Sequence, residues 1–327
     1  MSNSKLVWLF TVLLCISFYG KAQNKPSFEQ YIAEFKTEAS ERGFSRSFLD
    51  SAFEDIKFYQ RAVSSDKNQP EFKQTLDTYL PKRLPDWKVK RAIALYNEHA
   101  EVLNKVAQKY GVQPRFIVAL WGVESNFGKL MGSYPVLSAL ATLAYEGRRE
   151  ALFRKQLYAA LTILNEGHIS KADFKGSWAG AMGQSQFMPT SFLNYAQDFD
   201  GDGKKDIWTN HEDVFASIAN FLATEGWDDS ATWGRQVKLP ENFDYKLSGL
   251  AREKMKSLAD WQALGVRRMD GRALPDRELQ ASLIMPDDEK GRIYLVYDNF
   301  HTLMGWNRST YFGASVGHLS DRIKLGR

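Results

Sequence analysis

The segment from Pro114 to Gly128, PRFIVALWGVESNFG, places one carboxylate at the end of a helix that is apolar on nearly every side. Apolar residues on all faces indicate a helix in the protein interior, and proline suits the first turn of a helix. Burying an unpaired carboxylate costs several kcal/mol. The segment therefore predicts a helical core built around this helix, and it raises the question of what Glu124 does there.

Glu124 is the first candidate catalytic residue. Trp121, Val123 and Phe127 would desolvate its carboxyl and raise its pKa, which suits a proton donor near neutral pH. Glycosidases use such an acid to protonate the leaving oxygen. The Ser-Asn-x-Gly sequence after the helix would direct the side chain into a cleft. A buried glutamate satisfied by arginine or backbone partners is the alternative for this residue taken alone.

Helical patterns continue on both sides of this segment. The predicted features, in order, are a helix over FEQYIAEFKTEASERG ending at Gly43, a cap at Ser45-Arg46-Ser47 before FLDSAFEDI, breaks at Pro81 and Pro85, one long amphipathic helix over DWKVKRAIALYNEHAEVLNKVAQKYG, a helical stretch from Val136 interrupted near Gly147, and a helix over EDVFASIANFLATEGW. After Trp233, RQVKLPENFDYK and GRIYLVYDNF predict strands. The last segment, WNRSTYFGASVGHLSDRI, returns to a helical pattern.

The N-terminus, MSNSKLVWLFTVLLCISFYGKAQ, predicts a secretory signal peptide over residues 1–22. A basic start at Lys5, a short apolar run and a small-x-small site ending at Ala22 are typical of such signals. An uncleaved anchor helix is the alternative. Cys15 is the only cysteine, and Leu14 before it disfavours a lipid anchor, although it leaves one possible. We therefore expect an exported, periplasmic protein without a disulfide.

The charge balance disfavours a nucleic-acid partner. The formal net charge is +4, and it falls by two when Lys5 and Lys21 leave with the signal peptide. A protein so near neutrality has no electrostatic basis for binding nucleic acid, and export argues against it further.

A second constellation, DFDGDG, resembles the start of an EF-hand calcium loop. Asp198, Asp200 and Asp202 occupy positions one, three and five, with glycine at six. Alternate residues of a tight loop converge on one hard cation. Position twelve is Thr209 instead of the expected glutamate, so Glu212 or Asp213 would have to close a longer loop. A solvent-exposed acidic turn is the alternative.

A third constellation is the glycine-rich segment GSWAGAMGQSQFMPTSF, residues 176–192. Glycines allow close backbone approach, while Ser177, Gln184, Ser185 and Gln186 offer neutral hydrogen bonds that suit a sugar better than a phosphate. Motifs of the P-loop, GxGxxG and HExxH types are absent, which disfavours nucleotide binding and zinc catalysis. A tight helix-packing loop is the alternative.

Together these segments resemble the lytic murein transglycosylase B family of peptidoglycan-cutting enzymes, from about Phe72 to the C-terminus. The matching blocks are GVESNFG, SALATLAYEGRREALF, GSWAGAMGQSQFMPTSF, DFDGDGKKDIW, IANFLATEGW and WNRSTYF. The expected fold is α+β and predominantly α-helical, with a lysozyme-like core, an EF-hand-like metal loop and a small flanking α+β section. The expected divisions are a signal peptide (1–22), an N-terminal helical region (23–110), a catalytic core (111–235) with the metal loop (198–213), the α+β section (236–300) and a C-terminal segment returning to the core (301–327).

The resemblance also implies roles for individual residues. Glu124 would be the sole catalytic glutamate, acting first as acid and then as base. The implied substrate-binding residues are Tyr79, Ser177, Gln186, Phe187, Asn307 and Tyr311. Family members often carry tyrosine at the position of Phe312, so this chain departs from the pattern there. The implied ligands of a structural Ca²⁺ are Asp198, Asp200, Asp202, the carbonyl of Lys204, and Asp213.

The implied reaction cleaves the β-1,4 bond between N-acetylmuramic acid and N-acetylglucosamine and leaves a 1,6-anhydromuramoyl end. Two alternatives stay open. One is a lysozyme-type muramidase in which Asp173 or Asp198 assists, because hydrolysis needs a second carboxylate. The other is a non-catalytic, calcium-dependent wall-binding protein. We expect a monomer that binds peptidoglycan glycan strands. Cell-wall synthesis or division proteins are further candidate partners.

Overall fold

The computed structural model describes residues 25–68 and 74–326, so the predicted signal peptide lies outside the described residues. The α-helices are α1 (Phe28–Glu41), α2 (Arg46–Phe53), α3 (Gln60–Lys67), α4 (Leu76–Arg83), α5 (Asp86–Glu98), α6 (Ala100–Tyr110), α7 (Pro114–Ser125), α8 (Val136–Glu146), α9 (Glu150–Asn165), α10 (Pro189–Tyr195), α11 (His211–Thr224), α12 (Leu258–Ala263), α13 (Asp298–Trp306) and α14 (Thr310–Leu325). The strands are β1 (Tyr134–Pro135), β2 (Lys175–Gly176), β3 (Gly234–Lys238), β4 (Lys256–Ser257), β5 (Arg267–Arg268), β6 (Gln280–Ile284), β7 (Pro286–Glu289) and β8 (Tyr294–Val296).

Helix ends at Ser45, Gly111 and Gly147 agree with the sequence prediction, and α1 begins at a cap that the sequence analysis did not identify. Ser27 and Gln30 form a capping box at the start of α1, and Ser45 accepts a hydrogen bond from the Phe48 N–H at the start of α2. Both arrangements satisfy backbone donors that have no partner within the helix. Gly111 ends α6 in the left-handed conformation, and Gly147 does so for α8. These ends are set by a few neighbouring residues, which is why the sequence shows them.

Two predicted features between residues 76 and 110 are wrong. Pro81 does not break the chain but lies inside α4, whose residues Leu76 and Leu80 are buried in the core. The long amphipathic helix is two helices, because His99 leaves the helical conformation between α5 and α6. The His99 ring packs edge-on against Trp121 with ring centroids 5.8 Å apart. In both cases tertiary packing outweighs local helix preference.

Helix α7 is the central element, as its apolar sequence predicts. All but three of its residues are buried, and it packs against α5, α6, α11 and α14. Because Gly122 has no side chain, α7 can lie close to the Phe127 ring and to α14. A Cβ there would lie 2.5 Å from the Phe127 ring and 3.3 Å from the Leu319 side chain of α14. The apolar run is therefore buried on every side, and its C-terminal end carries Glu124.

The small α+β section forms an antiparallel sheet with strand order β4-β6-β8-β3-β5. Its two faces pack against different apolar clusters. Along the chain at β8, Tyr294 and Val296 join the main helical core, whereas Leu295 and Tyr297 join a second cluster built around Trp261. This alternation follows from the two-residue period of a strand. Among the helices described, none combines the length and apolar character that crossing a membrane requires.

Candidate active site

The end of α7 is shaped to present the Glu124 carboxyl. After Ser125 the chain turns through Asn126 and Phe127, both at positive φ (51° and 60°). The Ser125 hydroxyl stabilises this turn by accepting a hydrogen bond from the Gly128 N–H at 3.0 Å. Backbone strain of this kind is often found at functional sites. The turn leaves Glu124 in the wall of a small cleft of about 170 Å³.

Two side chains from distant parts of the sequence contact this region. The Trp306 indole N–H donates a hydrogen bond to Glu124 Oε1 at 2.6 Å. Arg83, at the end of α4, donates to the carbonyl of the preceding residue, Val123. The sequence analysis missed both residues, although Trp306 opens the block WNRSTYF. The one sequence feature that could have indicated Trp306 is its position directly before Asn307, a predicted substrate-binding residue.

The environment of Glu124 raises the pKa of its carboxyl to about 7. Burial is the largest cause, because it disfavours the charged form. The Trp306 hydrogen bond and the Arg83 charge oppose the rise, since both stabilise the carboxylate. The residue as a whole is only partly buried, and it lines the cleft. Glu124 can therefore hold a proton near neutral pH and deliver it to a ligand in the cleft.

This pKa predicts the pH dependence of activity. If protonated Glu124 is the reactive form of the free enzyme, kcat/KM should fall about tenfold per pH unit above a pKa of about 7. Trp306→Phe removes the N–H that lowers this pKa, so the falling limb should move to higher pH. Rates of peptidoglycan solubilisation between pH 5 and pH 9 measure both profiles. Identical limbs in the two proteins would contradict the assignment.

The glycine-rich segment, called the glycine-rich wall below, packs against the residues that follow α7, and two of its polar groups have oriented hydrogen-bonding capacity. Ser177 Oγ accepts the N–H groups of Ala179 (3.3 Å) and Ala181 (3.0 Å), which leaves its own hydrogen for a ligand. Gln186, at φ 50°, donates its amide hydrogens to the carbonyls of Met131 (3.1 Å) and Gly183 (2.9 Å). Its Oε1 is thereby fixed as an acceptor.

Two other polar residues of this segment are buried, which corrects their grouping with sugar-facing donors. The Gln184 amide accepts from the Trp121 indole N–H at 2.7 Å and donates to the Trp208 carbonyl at 2.8 Å. Ser185 is fully buried beside it. Gln184 therefore satisfies polar groups inside the core, as buried polar atoms require, and stabilises the helix that carries Glu124.

Phe187 packs against Trp306, the residue that donates to Glu124. Its side chain is only 3% exposed, and its ring centroid is 5.1 Å from that of Trp306. Phe221 contacts the same indole from another side at 4.7 Å. These two rings hold Trp306 in the position from which it donates to Glu124. Substrate contact by Phe187 stays a prediction.

The remaining predicted substrate residues lie in two places. Asn307 follows Trp306 directly, is exposed, and accepts a hydrogen bond from the Ser309 N–H at 3.1 Å. Tyr79 and Tyr311 form an edge-to-face pair with centroids 5.2 Å apart. The Tyr311 hydroxyl contacts the Gln74 carbonyl at 2.7 Å and the Asp287 carboxylate. Phe312 is buried, so the departure from the family pattern lies within the core.

Asp287, from β7, is a further residue that the sequence analysis missed. Its carboxylate accepts the N–H of Leu76 at 2.7 Å and thereby caps α4, the helix that carries Tyr79 and Arg83. The two partners are separated by 211 positions, and no local pattern marks them. The small α+β section is thus bonded directly to a helix that lines the cleft.

The predicted metal loop brings three carboxylates together. One oxygen from each of Asp198, Asp200 and Asp202 lies within 4.8 Å of the others. Asp198 also accepts backbone N–H groups, including those of Gly201 and Gly203, whose φ values of 80° and 89° suit glycine. Three converging hard oxygen donors on a tight loop are the donor set that calcium prefers. The loop therefore fits the ion implied by the sequence.

Asp213 and Lys204 contribute to this loop differently. Asp213 is fully buried, and its two oxygens accept the N–H groups of Phe199 and Asp206, each at 2.7 Å. Burial raises its pKa to about 6, and the charges of nearby aspartates add to the rise. Asp213 therefore joins the two sides of the loop from within. The Lys204 N–H donates to Asp202 Oδ1 at 2.8 Å, which orients that carboxylate.

Comparison with known proteins defines the class. Residues 27–321 match the model of the transglycosylase SLT domain family, and the chain belongs to that family. It is 30% identical, over 94% of its length and 85% of the relative's, to membrane-bound lytic murein transglycosylase B of Escherichia coli (strain K12). The resemblance to lytic murein transglycosylases of type B is thereby confirmed, and the protein is an enzyme that cleaves peptidoglycan.

Solved structures agree with this assignment. SltB3 from Pseudomonas aeruginosa, in complex with NAG-anhNAM-pentapeptide, superposes with a TM-score of 0.87 at 42% identity, covering 91% of this chain and 80% of that one. Escherichia coli Slt35, in complex with calcium, gives a TM-score of 0.78 at 29% identity, covering 93% and 94%. The predominantly helical, lysozyme-like α+β fold predicted from sequence is confirmed.

Proposed function

We propose that this lytic transglycosylase cuts the β-1,4 bond between N-acetylmuramic acid and N-acetylglucosamine and closes a 1,6-anhydro ring, with Glu124 acting as acid and then as base. The observation that carries the proposal is the isolation of this carboxyl. Among the described residues lining its cleft, Glu124 is the only acid. Its pKa of about 7 suits a group that must donate a proton and then accept one.

The first step breaks the glycosidic bond. Protonated Glu124 donates its proton to the bridging oxygen, and the bond from muramic acid C1 to that oxygen breaks with both electrons leaving on the oxygen. The N-acetylglucosamine side departs with a hydroxyl, and the muramoyl ring carries oxocarbenium character. The Trp306 N–H stabilises the carboxylate that forms on Glu124.

The second step closes the new ring. The C6 hydroxyl of the same muramoyl unit attacks C1, and the Glu124 carboxylate takes the hydroxyl proton. A bond from C6 oxygen to C1 replaces the broken one, no water is consumed, and Glu124 returns to its protonated state. SltB3, which superposes closely on this chain, was solved in complex with NAG-anhNAM-pentapeptide, and this supports the proposed chemistry.

The surroundings of the two candidate assisting aspartates favour this reaction over hydrolysis. Asp198 accepts three backbone N–H groups within its own loop, from Gly201, Asp202 and Gly203. Asp173 is exposed and accepts a hydrogen bond from the Ser170 hydroxyl at 2.7 Å. Neither lines the cleft around Glu124. A hydrolase would require a second carboxylate there.

For substrate contacts, we propose that Ser177 donates its hydroxyl hydrogen and Gln186 Oε1 accepts from the sugar. Tyr79, Phe187, Asn307 and Tyr311 would line the groove on either side. Tyr311 would act mainly through its ring, because its hydroxyl already contacts Asp287 and Gln74.

The test of the proposed function is the chemistry of the cut ends. Purified peptidoglycan is digested, and new reducing ends are counted by borohydride reduction against the number of bonds cut. The proposal predicts fragments without new reducing ends. One reducing end per bond cut would establish a muramidase, and binding without cutting would establish a wall-binding protein.

We further propose that the loop of Asp198, Asp200 and Asp202 binds a structural calcium ion, with the Lys204 carbonyl as a fourth donor and Asp213 supporting the loop from the core. When bound, the cation would neutralise converging carboxylates that otherwise repel one another. The loop follows the glycine-rich wall through α10, so its order would help to fix that wall. Escherichia coli Slt35 was solved in complex with calcium.

Calcium should therefore raise the melting temperature without supplying a catalytic group. At about a hundredfold excess over Kd, binding to the folded state alone adds about 2.7 kcal/mol to the free energy of unfolding. Calorimetry with calcium or with a chelator measures the shift. Asp200→Asn should abolish most of the shift, and Asp228→Asn, outside the loop, should retain it. Equal melting temperatures in calcium and in chelator would contradict the proposal.

We also propose that residues 1–22 direct export to the periplasm, where the mature chain (23–327) acts as a monomer on glycan strands. We propose that the mature chain is divided near residues 110, 235 and 300 into the N-terminal helical region, the catalytic core, the α+β section and the C-terminal segment. Cell-wall synthesis or division proteins are the expected protein partners. Fractionation of cells, with N-terminal sequencing of the periplasmic protein, tests export and the cleavage site together.

A further inference from the structure

Lys88, the third residue of α5, is a buried cation beside the catalytic carboxyl. Its side chain is 5% exposed, and it lines the same cavity as Glu124. In residues 25–68 and 74–326, no hydrogen bond or ion pair to its ammonium is observed, and the nitrogen is not among the fully buried polar atoms, so it reaches the cavity surface. Burial is the main reason that its pKa falls to about 8, and the nearby Arg83 charge adds to the fall. A buried, unpaired ammonium is costly unless something compensates for it.

The surroundings of Lys88 are electropositive. Lys82 and Arg83 line the same cavity, and within the described part of the chain Glu124 is its only acid. Helix α5 also begins here without a side-chain cap, so the positive end of its dipole faces the same region. The one acid in its first turn, Asp86, pairs with Arg322 at 2.9 Å. Three cations and a helix N-terminus thus border one cavity, and among the described residues that line it only Glu124, which Arg83 already faces, can balance their charge.

Glu124 is not the counter-charge that this arrangement lacks. The groups that act on the Glu124 pKa are Trp306 and Arg83, and Lys88 is not among them. The ammonium is therefore available to the cavity, where an incoming anion would compensate its charge. The cavity, at about 170 Å³, has room for a carboxylate and the atoms next to it.

We propose that Lys88, with Arg83 and Lys82, forms a subsite for a carboxylate of the muramoyl substrate next to the scissile bond. The inference rests on the proposed function, because it assigns a substrate group to the same cleft. Two substrate groups share this chemistry: the lactyl carboxylate of muramic acid in strands without peptides, and the carboxylates of stem peptides. Exposed apolar side chains at the rim, Trp87 (59%) and Leu130 (67%), offer surface for the atoms that carry the carboxylate.

The test measures binding in a Glu124→Gln background, so that no turnover occurs. The probes are the GlcNAc–MurNAc disaccharide with a free lactyl carboxylate, the same disaccharide with a stem peptide, and each compound with its carboxyl groups amidated. Lys88→Met keeps the length of the side chain and removes its charge. Lys90→Met, at an exposed position of the same helix, is the matched control. Calorimetric titration gives the four affinities for each variant.

The subsite predicts that Lys88→Met weakens binding of a carboxylate probe by about tenfold or more, which is typical of a hydrogen bond to a charged group. Amidated probes should bind both variants equally, and Lys90→Met should behave as its parent. A loss with the free disaccharide identifies the lactyl carboxylate, whereas a loss confined to the peptide probe identifies the stem.

Equal affinity of Lys88→Met and Lys90→Met for every probe would overturn the subsite. A second measurement keeps the test decisive if Lys88→Met is poorly folded. In the Lys90→Met protein, the preference for carboxylate over amidated probes should fall as pH is raised from 7 to about 10, because Lys88 loses its charge while Arg83 keeps its own. A constant preference would also overturn the proposal. These binding measurements test the subsite alone. The proposed function is tested separately, by the chemistry of the cut ends.

Discussion

Glu124→Gln is expected to lower kcat by about a thousandfold or more, since general acid or base catalysis typically contributes about 10² to 10⁴ in rate and Glu124 would serve in both steps. The amide keeps an oxygen that can accept the Trp306 N–H bond, so the cleft should retain its shape. Release of soluble fragments measures the rate, and co-sedimentation with purified peptidoglycan measures binding. Unchanged binding with lost cutting is the expected result; a variant that cuts at the wild-type rate would remove Glu124 from the mechanism.

The same substitution should stabilise the protein at high pH. Folding raises the pKa of Glu124 from 4.5 to about 7, so the folded state favours the proton. Its stabilising contribution is present below pH 4.5 and is lost as pH rises through about 7. Between pH 4.5 and pH 7, the free energy of unfolding of the wild type should therefore fall by about 3 kcal/mol relative to that of Glu124→Gln. Denaturant unfolding at pH 5 and pH 8 measures this. Glu34→Gln, at an exposed position of α1, should show no such difference.

Gly132→Ala should have the largest effect on stability among single small substitutions at the wall. Gly132 has φ 90°, and a Cβ there would lie 2.1 Å from the Gly176 carbonyl oxygen and 2.5 Å from the Ser177 nitrogen. Both contacts are with backbone, so the glycine-rich wall would have to move. We expect the free energy of unfolding to fall by about 4 kcal/mol or more, with loss of activity as Ser177 shifts.

Gly43→Ala is the matched control for this prediction. Gly43 has a similar φ of 101°, but nothing lies within 4 Å of its added Cβ. Its cost should be the conformational strain alone, about 1 to 2 kcal/mol. Denaturant unfolding in saturating calcium compares the two variants. Equal losses would show that the contact between Gly132 and the wall does not matter.

Much of this fold is visible in the sequence because its determinants are local. The cap at Ser45, the glycines at Gly111 and Gly147, and the apolar run ending at Glu124 act within a few residues of where they occur. The errors arose where distant packing decides. His99 interrupts a periodic helix where its ring packs on Trp121, and α4 continues through the exposed Pro81 while its Leu76 and Leu80 are buried in the core.

The residues of the site likewise fall into two groups, those in local sequence motifs and those brought together by distant packing. Glu124 and the three loop aspartates lie in short motifs, so their chemistry could be predicted. Trp306 lies 182 positions from Glu124, and Asp287 lies 211 from the helix start that it caps. Such contacts depend on how α13 and β7 pack, which no spacing rule specifies. The sequence could also not distinguish Gln184, which is buried and hydrogen-bonded inside the core, from Gln186, which is only partly buried.

The central claim is that one carboxyl, Glu124, performs an intramolecular transfer without water. Mass spectrometry of fragments released from purified peptidoglycan in water enriched in heavy oxygen tests it most directly. The account predicts fragments lighter by one water than hydrolytic products, with no heavy oxygen incorporated. Fragments of hydrolytic mass carrying heavy oxygen at the muramoyl C1 would show that water is the nucleophile, and they would contradict the account.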